Sequence, residues 1–229
     1  MASSAASNSE QRVPLSRERV LQAAIALADQ RGIESLTMRK LAAALGVEAM
    51  SLYNHVANKG DLVDGIVDLV VGEVELPSSE DWEVAIREYA VSAHEALLRH
   101  PWACSLVMSP TTTRAARTQR LRYMEWLLGL LRGAGFPAEL TYHAYHALDG
   151  HILGFTLWQL GHSAAAKELG DAEGLADFAA TFLRELQATG DYPHVSEHVE
   201  QHITGLGNDS EQEFEFGLDL ILDGLKRAR

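Results

Sequence analysis

The chain has 229 residues and a single cysteine, Cys104. A chain of this length can bury an apolar core without covalent help, and one cysteine excludes an internal disulfide and offers no Cys-x-x-Cys pattern for a zinc or redox site. No run approaches the roughly 18 apolar residues that a membrane-spanning helix needs. We therefore expect a cytoplasmic protein without a membrane partner.

The formal net charge of −13 argues at first against a polyanionic partner such as nucleic acid. The charge is unevenly distributed, however. Residues 1–60 carry a net charge of +2 and the remainder carries −15. This asymmetry would let one end of the chain approach phosphates while the rest is repelled by them.

Apolar residues recur at helical spacing along the chain, and no stretch shows the sustained alternation typical of a strand, so we expect an all-α fold. Residues 1–14 lack such a pattern and are predicted to form a disordered arm. Ser16 can cap a first helix that Gly32 ends, and Thr37 and Asn58 can cap later helices. The helices predicted for the N-terminal part span 16–31, 37–45, 47–55 and 58–75.

Breaks around Pro77, Pro101, Pro110 and Pro137 divide the rest of the chain into further helices. The Ala- and Gly-rich stretch 161–174 is predicted to be a mobile loop. With those of the N-terminal part, the chain would have about ten helices. The helices predicted here span 81–99, 102–108, 113–132, 139–160, 175–188, 194–203 and 210–227.

The most informative segment is LTMRKLAAALGVEAMSLYNHVANKGDLVDGI, residues 36–66. It combines a helix with three alanines at 42–44, a glycine at Gly46 that can take the left-handed conformation of a tight turn, and a short second helix with polar tips. These features are typical of a helix-turn-helix that reads DNA, over residues 37–55. Its two helices would be held together by Leu41, Leu45, Val47 and Leu52.

This segment resembles the tetracycline-repressor (TetR) family: LGVEAMSLYNHVANKGDLVDGI looks like the family's second and third helices running into the fourth. Further along, the Asp81-Trp82 helix start, the break at His100-Pro101 and the Gly-Ala-Gly-Phe-Pro stretch at 133–137 are similar to the regulatory domain of the tetracycline-repressor subgroup. The resemblance covers most of the chain and thins after Leu160.

We therefore expect two domains. Residues 15–58 would form a three-helix DNA-binding domain with the helix-turn-helix, and residues 59–229 a helical ligand-binding and dimerisation domain that begins with a connecting helix over 59–75. The resemblance implies a transcriptional repressor that binds double-stranded, pseudo-palindromic operator DNA as a homodimer and is released by a small-molecule effector.

The resemblance also implies roles for single residues. Arg39 matches a residue that reads guanine, a geometrically favoured pairing. The family's phosphate contacts are matched by Tyr53, His55, Lys59, Thr37 and, more loosely, Lys40. Asn54 is a candidate to read an adenine edge and Ala49 or Met50 a thymine methyl group, and because these three differ from the tetracycline repressor, the operator must differ too. Without the family resemblance, Arg39 and Lys40 would equally suit a solvated helix face. The candidate DNA-binding residues are Thr37, Arg39, Lys40, Ala49, Met50, Ser51, Tyr53, Asn54, His55 and Lys59.

Aromatic, histidine and methionine residues are concentrated in the central helices of the C-terminal part. This composition is typical of a ligand pocket in a helical bundle, and equally of a plain core. The resemblance favours a pocket for a hydrophobic or aromatic effector. Its candidate residues are Trp102, Met108, Tyr123, Trp126, Tyr142, His146, His151, Phe155, Trp158 and Phe182.

The tetracycline repressor holds its effector together with magnesium, through a histidine and a glutamate that this sequence lacks. By alignment through His100-Pro101 and through 153–155, those positions fall near Val107 and Trp158, which offer no ligand for magnesium. We expect neither a metal nor a cofactor, and no induction by tetracycline.

Small and apolar residues lie along single stripes of two C-terminal helices. A glycine inside a helix costs about 1 kcal/mol relative to alanine, which suggests the close approach of another backbone. The resemblance implies a four-helix dimer interface, whereas packing within the chain explains the same glycines almost as well. The candidate interface residues are Gly150, Gly154, Gly217, Leu220, Ile221 and Gly224.

Three other interpretations are open. His194, His198 and His202 share one face of a predicted helix and could hold zinc, but no further ligand is visible and a solvated or interface face is favoured. An enzyme would need an assembled catalytic motif, and the sequence contains neither a Gly-x-Ser-x-Gly nor a His-Glu-x-x-His pattern, so we expect no enzyme. The DNA-binding part also suits an activator, or a regulator that answers to a protein partner.

Overall fold

In the computed structural model, the regular elements of the described residues are all helices, which confirms the all-α prediction. Apart from residue 14, the predicted arm lies outside the described residues, as do residues 113–117 of one predicted helix. Contacts group the described residues into two units, one up to Val67 and the other from Asp68 onward. The described residues are 14–109, 118–168, 172–203 and 210–229.

The first unit is built from short helices that pack in sequence, α1 on α2 and α2 on α3. A 3-10 turn (Ile33–Ser35) joins α1 to α2. The side chains at its centre are completely or almost completely buried and include Val20, Ala24, Leu36, Leu41, Leu52, Val56, Leu62 and Ile66. The helices are α1 (Arg17–Arg31), α2 (Met38–Leu45), α3 (Ala49–Leu52) and the first part of α4 (Lys59–Gly72).

Three predicted helix caps of this unit are confirmed. Ser16 accepts a hydrogen bond from the N–H of Arg19 at 3.2 Å, and Thr37 accepts one from Lys40 at 3.2 Å. Asn58 accepts from the N–H of Asp61 at 2.9 Å. Each cap satisfies a backbone donor that has no partner within its own helix, which fixes where the helix begins.

The second unit is arranged around α8, which packs against α5, α6, α7 and α11, while α9 packs against α10. The apolar faces of these helices form its core, where Leu127, Leu131, Leu148, Leu218 and Leu222 are at most 1% exposed. After the end of α4, its helices are α5 (Trp82–Arg99), α6 (Pro101–Cys104), α7 (Thr118–Gly133), α8 (Ala138–Glu168), α9 (Ala172–Thr189), α10 (Pro193–Ile203) and α11 (Ser210–Ala228).

The loop predicted over 161–174 is wrong for most of its length, because α8 continues to Glu168 and α9 begins at Ala172. Alanine is the strongest helix former, so the alanines at 164–166 favour continuation of α8 in spite of Gly161. Smaller differences occur elsewhere: α3 and α6 are shorter than predicted, and α4 ends at Gly72. None of the helices in the described ranges is both long and apolar enough to cross a membrane.

Candidate DNA-binding surface and effector pocket

In the first unit, α2 and α3 are joined by the tight turn that the sequence predicts. Gly46 takes the left-handed conformation (φ 66°, ψ 35°), and its N–H donates to carbonyls in the last turn of α2. The N–H of Val47 donates to the carbonyl of Ala42 at 3.0 Å. Leu41 and Leu52 are fully buried beneath the turn, so apolar packing holds the two helices together.

The predicted DNA-binding residues surround this turn, and most of them are exposed. Met50 and Tyr53 are 75% and 44% exposed. Ala49, Ser51 and His55 are half-buried. Such a surface can offer cations and hydroxyl groups to phosphates and shorter side chains to base edges. The exposed members are Thr37, Arg39, Lys40, Met50, Tyr53, Asn54 and Lys59.

Arg17 connects the end of the turn after α3 to the start of α4, a contact that was not predicted from the sequence. Its guanidinium forms a two-pronged ion pair with the carboxylate of Asp61, both bonds at 2.9 Å, and donates to the carbonyl of His55 at 2.8 Å. These hydrogen bonds from Arg17 lower the pKa of Asp61. The backbone next to the candidate phosphate contacts is therefore held in place by α1.

The second unit contains a pocket between the end of α4, α5, α7 and α8. The cavity between these helices has a volume of about 60 Å³ and is partly open to solvent. The walls are mostly apolar. They include Val70, Val71, Val74, Leu97, Ile152 and Leu153.

Four polar side chains, those of Tyr89, Arg120, Tyr123 and Asp149, lie among these apolar walls. The Tyr123 hydroxyl donates to Asp149 at 2.8 Å, and its ring stacks on Tyr89 with the centroids 4.3 Å apart. Burial raises the pKa of Tyr89, Tyr123 and Asp149, because it disfavours the charged form of each group. Perturbed groups that share a cleft are typical of a functional site.

The first turn of α7 lies beside the pocket and is held from α4. The Asp68 carboxylate accepts a hydrogen bond from the N–H of Gln119 at 2.9 Å. In the next residue, the Arg120 guanidinium donates to the carbonyl of Val107 and to the sulfur of Met108 at 3.4 Å. Residues of α4, α7 and the segment after α6 thus meet at one end of the pocket.

The ten predicted effector-binding residues, all of them described, are not gathered in this pocket. Tyr123 lines it, and the Trp126 ring lies beside the Tyr89 ring, with centroids 5.3 Å apart. Aromatic residues occur in the core, in pockets and at the surface. Composition alone therefore does not tell which neighbours a helix face contacts. Three pack elsewhere in the unit: Trp102, His151 and Phe155. Five are exposed: Met108, Tyr142, His146, Trp158 and Phe182.

Tyr89, Arg120 and Asp149 line the pocket but were not among the residues predicted for it. Asp149 carried a detectable signal, since it is a carboxylate within an apolar stretch of the helix predicted over 139–160. Arg120 and Tyr89 carried none, because an arginine or a tyrosine on an amphipathic helix is usually a surface or core residue.

The predicted interface glycines differ in their surroundings. A Cβ atom added at Gly150, Gly154 or Gly224 would meet no atom of the protomer within 4 Å. A Cβ atom at Gly217 would instead overlap the ring of His151, whose Nε2 donates to the Phe214 carbonyl at 2.8 Å. Packing within the chain therefore accounts for Gly217 but not for the other three glycines.

Two histidines of the face that was considered for zinc, His194 and His198, lie on α10, and the side chain of His202 is outside the described residues. Across the described side chains, no group of three or more His, Cys, Asp or Glu is placed to hold a metal ion.

Two sequence families match the chain. A model described as bacterial regulatory proteins of the tetR family matches residues 20–66, which include α2, the turn and α3. A model described as the C-terminal domain of tetracyclin repressor-like proteins matches residues 76–229. The HTH-type transcriptional repressor DrrR1 of Streptomyces coeruleorubidus is 33% identical over 219 residues, which cover 93% of this chain and 77% of the relative.

Further relatives agree with this match. The tetracycline repressor protein class D of Escherichia coli is 33% identical over 157 residues, 66% of this chain and 69% of that protein. The crystal structure of ActR, a TetR family protein of Streptomyces coelicolor, in complex with actinorhodin has a TM-score of 0.73 at 27% identity, covering 94% of this chain and 99% of that one. The named functions are those of transcriptional regulators, which points to a regulator rather than an enzyme.

Proposed function

The chain belongs to the TetR family of bacterial transcriptional regulators, and from this premise we propose that it binds a pseudo-palindromic operator as a homodimer and represses transcription. A small hydrophobic or aromatic effector, bound in the pocket of the second unit, releases the protein from the operator. The observation that carries the proposal is the turn between α2 and α3 with its exposed polar residues, since a helix-turn-helix presents this part to the major groove.

On the operator, Arg39 reads a guanine, while Asn54 and Met50 contact base edges and fix the sequence preference. The cationic and hydroxyl-bearing residues bind phosphates and supply an affinity that falls as salt rises. The exposure of Thr37, Lys40, Tyr53 and Lys59 supports these roles. The role of the half-buried His55 is supported by the hydrogen bond that Arg17, paired with Asp61, donates to its carbonyl. The phosphate contacts are Thr37, Lys40, Tyr53, His55 and Lys59.

The homodimer forms through α8 and α11. Gly150 and Gly154 leave space on the outer face of α8 that no atom of the protomer fills, and Phe216 and Leu220 are 66% and 57% exposed on α11. Apolar side chains next to glycines suit the close packing of helices from a second copy. Twofold symmetry of the dimer would be matched by twofold symmetry of the operator.

The effector binds in the pocket lined by Tyr89, Tyr123 and Asp149. Apolar walls around a few polar groups support this assignment. ActR provides further support, since its structures include complexes with actinorhodin and with (S)-DNPA. Effector binding favours a conformation in which α4, the helix that links the two units, no longer holds the reading heads of the dimer at successive major grooves.

The test begins with selection of genomic DNA fragments by the full-length protein, followed by measurement of operator affinity by fluorescence anisotropy. Aromatic compounds are then screened for release. We expect a releasing compound to weaken operator binding by the same factor by which operator weakens compound binding. Failure to select any sequence would overturn the DNA-binding assignment, and two ligands bound together at undiminished affinity would overturn the release mechanism. Selected fragments whose transcription rises with the protein would make it an activator.

A further inference from the structure

We infer that the effector is an aromatic carboxylic acid and that Arg120 in the first turn of α7 is the residue that selects for its carboxylate. The inference rests on the proposed function, because it concerns the effector of the same pocket. It is carried by the contrast between the two charged side chains that line the pocket, Arg120 and Asp149.

Arg120 is a half-buried cation whose hydrogen-bond acceptors are uncharged. Its guanidinium donates to the backbone carbonyl of Val107 and to the thioether sulfur of Met108. In the part of the chain that the structure describes, it forms no ion pair with a carboxylate. A planar guanidinium with several donors matches the two oxygens of a carboxylate, and the attraction is stronger where water is partly excluded.

Asp149 is in the opposite situation. One of its carboxylate oxygens already accepts a hydrogen bond from the Tyr123 hydroxyl, and burial favours its neutral form. Tyr145 also donates to Asp149, and the positive charge of Arg120 acts on that carboxylate without a direct ion pair. An organic cation would therefore find an anion that is already bonded and partly compensated, whereas an organic acid finds a guanidinium with no carboxylate in direct contact. A hydroxyl group on the effector could donate to Asp149 as well, so hydroxylated acids fit both Arg120 and Asp149.

The aromatic part of the inference rests on the rings beside these charges. Tyr89 and Tyr123 stack with an 8° angle between their planes, and Trp126 lies tilted against Tyr89. Valine and leucine side chains complete the walls. A flat ring system can lie against such surfaces with offset or edge contacts.

The experiment is isothermal titration calorimetry of the full-length protein with three matched pairs of compounds. The pairs are the carboxylate and the neutral carboxamide of naphthalene, anthracene and anthraquinone, each substituted at position 2. We expect at least one acid to bind about tenfold or more tightly than its amide, because an ionic hydrogen bond in a partly desolvated site contributes that much. If no acid binds more tightly than its amide, or if none of the six compounds binds, the inference is wrong.

Two variants locate the preference at Arg120. In Arg120→Gln the ratio of acid to amide affinity should fall to about 1, since both ligands then meet an uncharged donor. The control Arg227→Gln removes the same charge from an exposed position near the end of α11 and should leave the ratio unchanged. Circular dichroism and thermal unfolding report whether each variant is folded. An acid preference that survives in folded Arg120→Gln protein would overturn the assignment.

A third variant, Asp149→Asn, removes a negative charge from the same pocket. It should leave amide binding nearly unchanged and strengthen acid binding, since the asparagine oxygen can still accept from Tyr123. Weaker acid binding in this folded variant would contradict the inference.

Failure of this inference is separable from failure of the proposed function. Protein that binds an operator and is released by neutral compounds retains the function and loses the acid preference, whereas protein that selects no DNA loses the function whatever acids it binds.

Discussion

Tyr123 and Asp149 are joined by a 2.8 Å hydrogen bond inside the pocket, so an uncharged hydroxyl supports a carboxylate that is largely removed from water. Burial is the largest influence on the pKa of Asp149 and raises it. A carboxyl group whose folded-state pKa is raised above its unfolded value weakens the fold at higher pH; this cost shrinks as pH falls through the folded-state pKa and is gone below the unfolded one.

Asp149→Asn is therefore predicted to stabilise the protein at mildly alkaline pH, by about 0.5–2 kcal/mol, since asparagine keeps an acceptor for Tyr123 without the buried charge. The gain should shrink as pH falls. Chemical denaturation of wild type and variant across pH measures it. Tyr123→Phe is the matched control: it removes the donor and should cost about 1–3 kcal/mol. An asparagine variant that is less stable than wild type at every pH would refute the prediction.

A second prediction concerns Arg17 and Asp61. Asp61→Asn breaks the ion pair and should destabilise the first unit by about 1 kcal/mol, a modest value because the Arg17 side chain is 43% exposed. The folded-state pKa of Asp61 is lowered, chiefly by hydrogen bonds from Arg17, so its contribution is present above the unfolded pKa and lost as pH falls through the folded one.

The difference in stability between wild type and Asp61→Asn should thus be constant near neutral pH and shrink below about pH 4. Hydrogen exchange of the peptide covering residues 52–62, followed across pH, reports this local stability. Glu34→Gln, an exposed carboxylate of the same unit, should leave the exchange unchanged. Equal protection of this peptide from exchange in wild type and Asp61→Asn would show that the ion pair contributes nothing to local stability.

The predicted interface glycines allow a test of the proposed dimer. A Cβ atom added at Gly154 meets no atom of the protomer within 4 Å, so Gly154→Leu should leave the protomer folded and separate the proposed dimer, because the longer side chain extends toward the proposed partner. Light scattering measures the mass of the protein in solution and thus distinguishes dimer from monomer. Gly217→Ala should instead cost about 1–3 kcal/mol of stability within the protomer, because the new methyl group displaces the His151 ring. A Gly154→Leu protein that remains a dimer of unchanged affinity would place the interface elsewhere.

The pocket is also predicted not to bind tetracycline with magnesium. Val107, which by resemblance stands where the tetracycline repressor has its metal-binding histidine, lines the pocket and offers no ligand atom. Trp158, near the position of the pocket glutamate, is 43% exposed. Tetracycline fluorescence should show no saturable binding of the magnesium complex at micromolar concentration. Such binding, abolished by a chelator, would contradict the prediction.

The sequence predicted best what local chemistry decides. Ser16, Thr37 and Asn58 begin helices because their side chains satisfy backbone donors three residues on, and Gly46 makes its turn because it has no Cβ atom. These signals lie within a few residues of the structure that they determine. The run at 161–168 is the exception, since there the helix preference of alanine overrode the glycine.

The pocket could not be predicted in the same way. Tyr123 and Asp149 are 26 residues apart and meet only because α7 packs on α8. The same holds for Arg17 and Asp61, which are 44 residues apart, and for His151, which fills the space beside Gly217. Which side chains meet across helices depends on the rotation of each helix about its axis, and the periodicity of one sequence does not fix that rotation.

The most direct test of the account is a DNase I footprint of the full-length protein on the DNA upstream of its own gene and the neighbouring genes. We predict a protected stretch with twofold symmetry and half-sites about one helical turn, roughly 34–36 Å, or a multiple of it apart. Arg39→Ala should cost about 1–3 kcal/mol and relax the preference at a guanine, and Lys59→Gln should weaken binding equally at all sequences and lower the salt slope by about 1. Arg227→Gln should leave the footprint unchanged. No protected stretch, or protection identical in the Arg39→Ala Lys59→Gln double variant, would contradict the account.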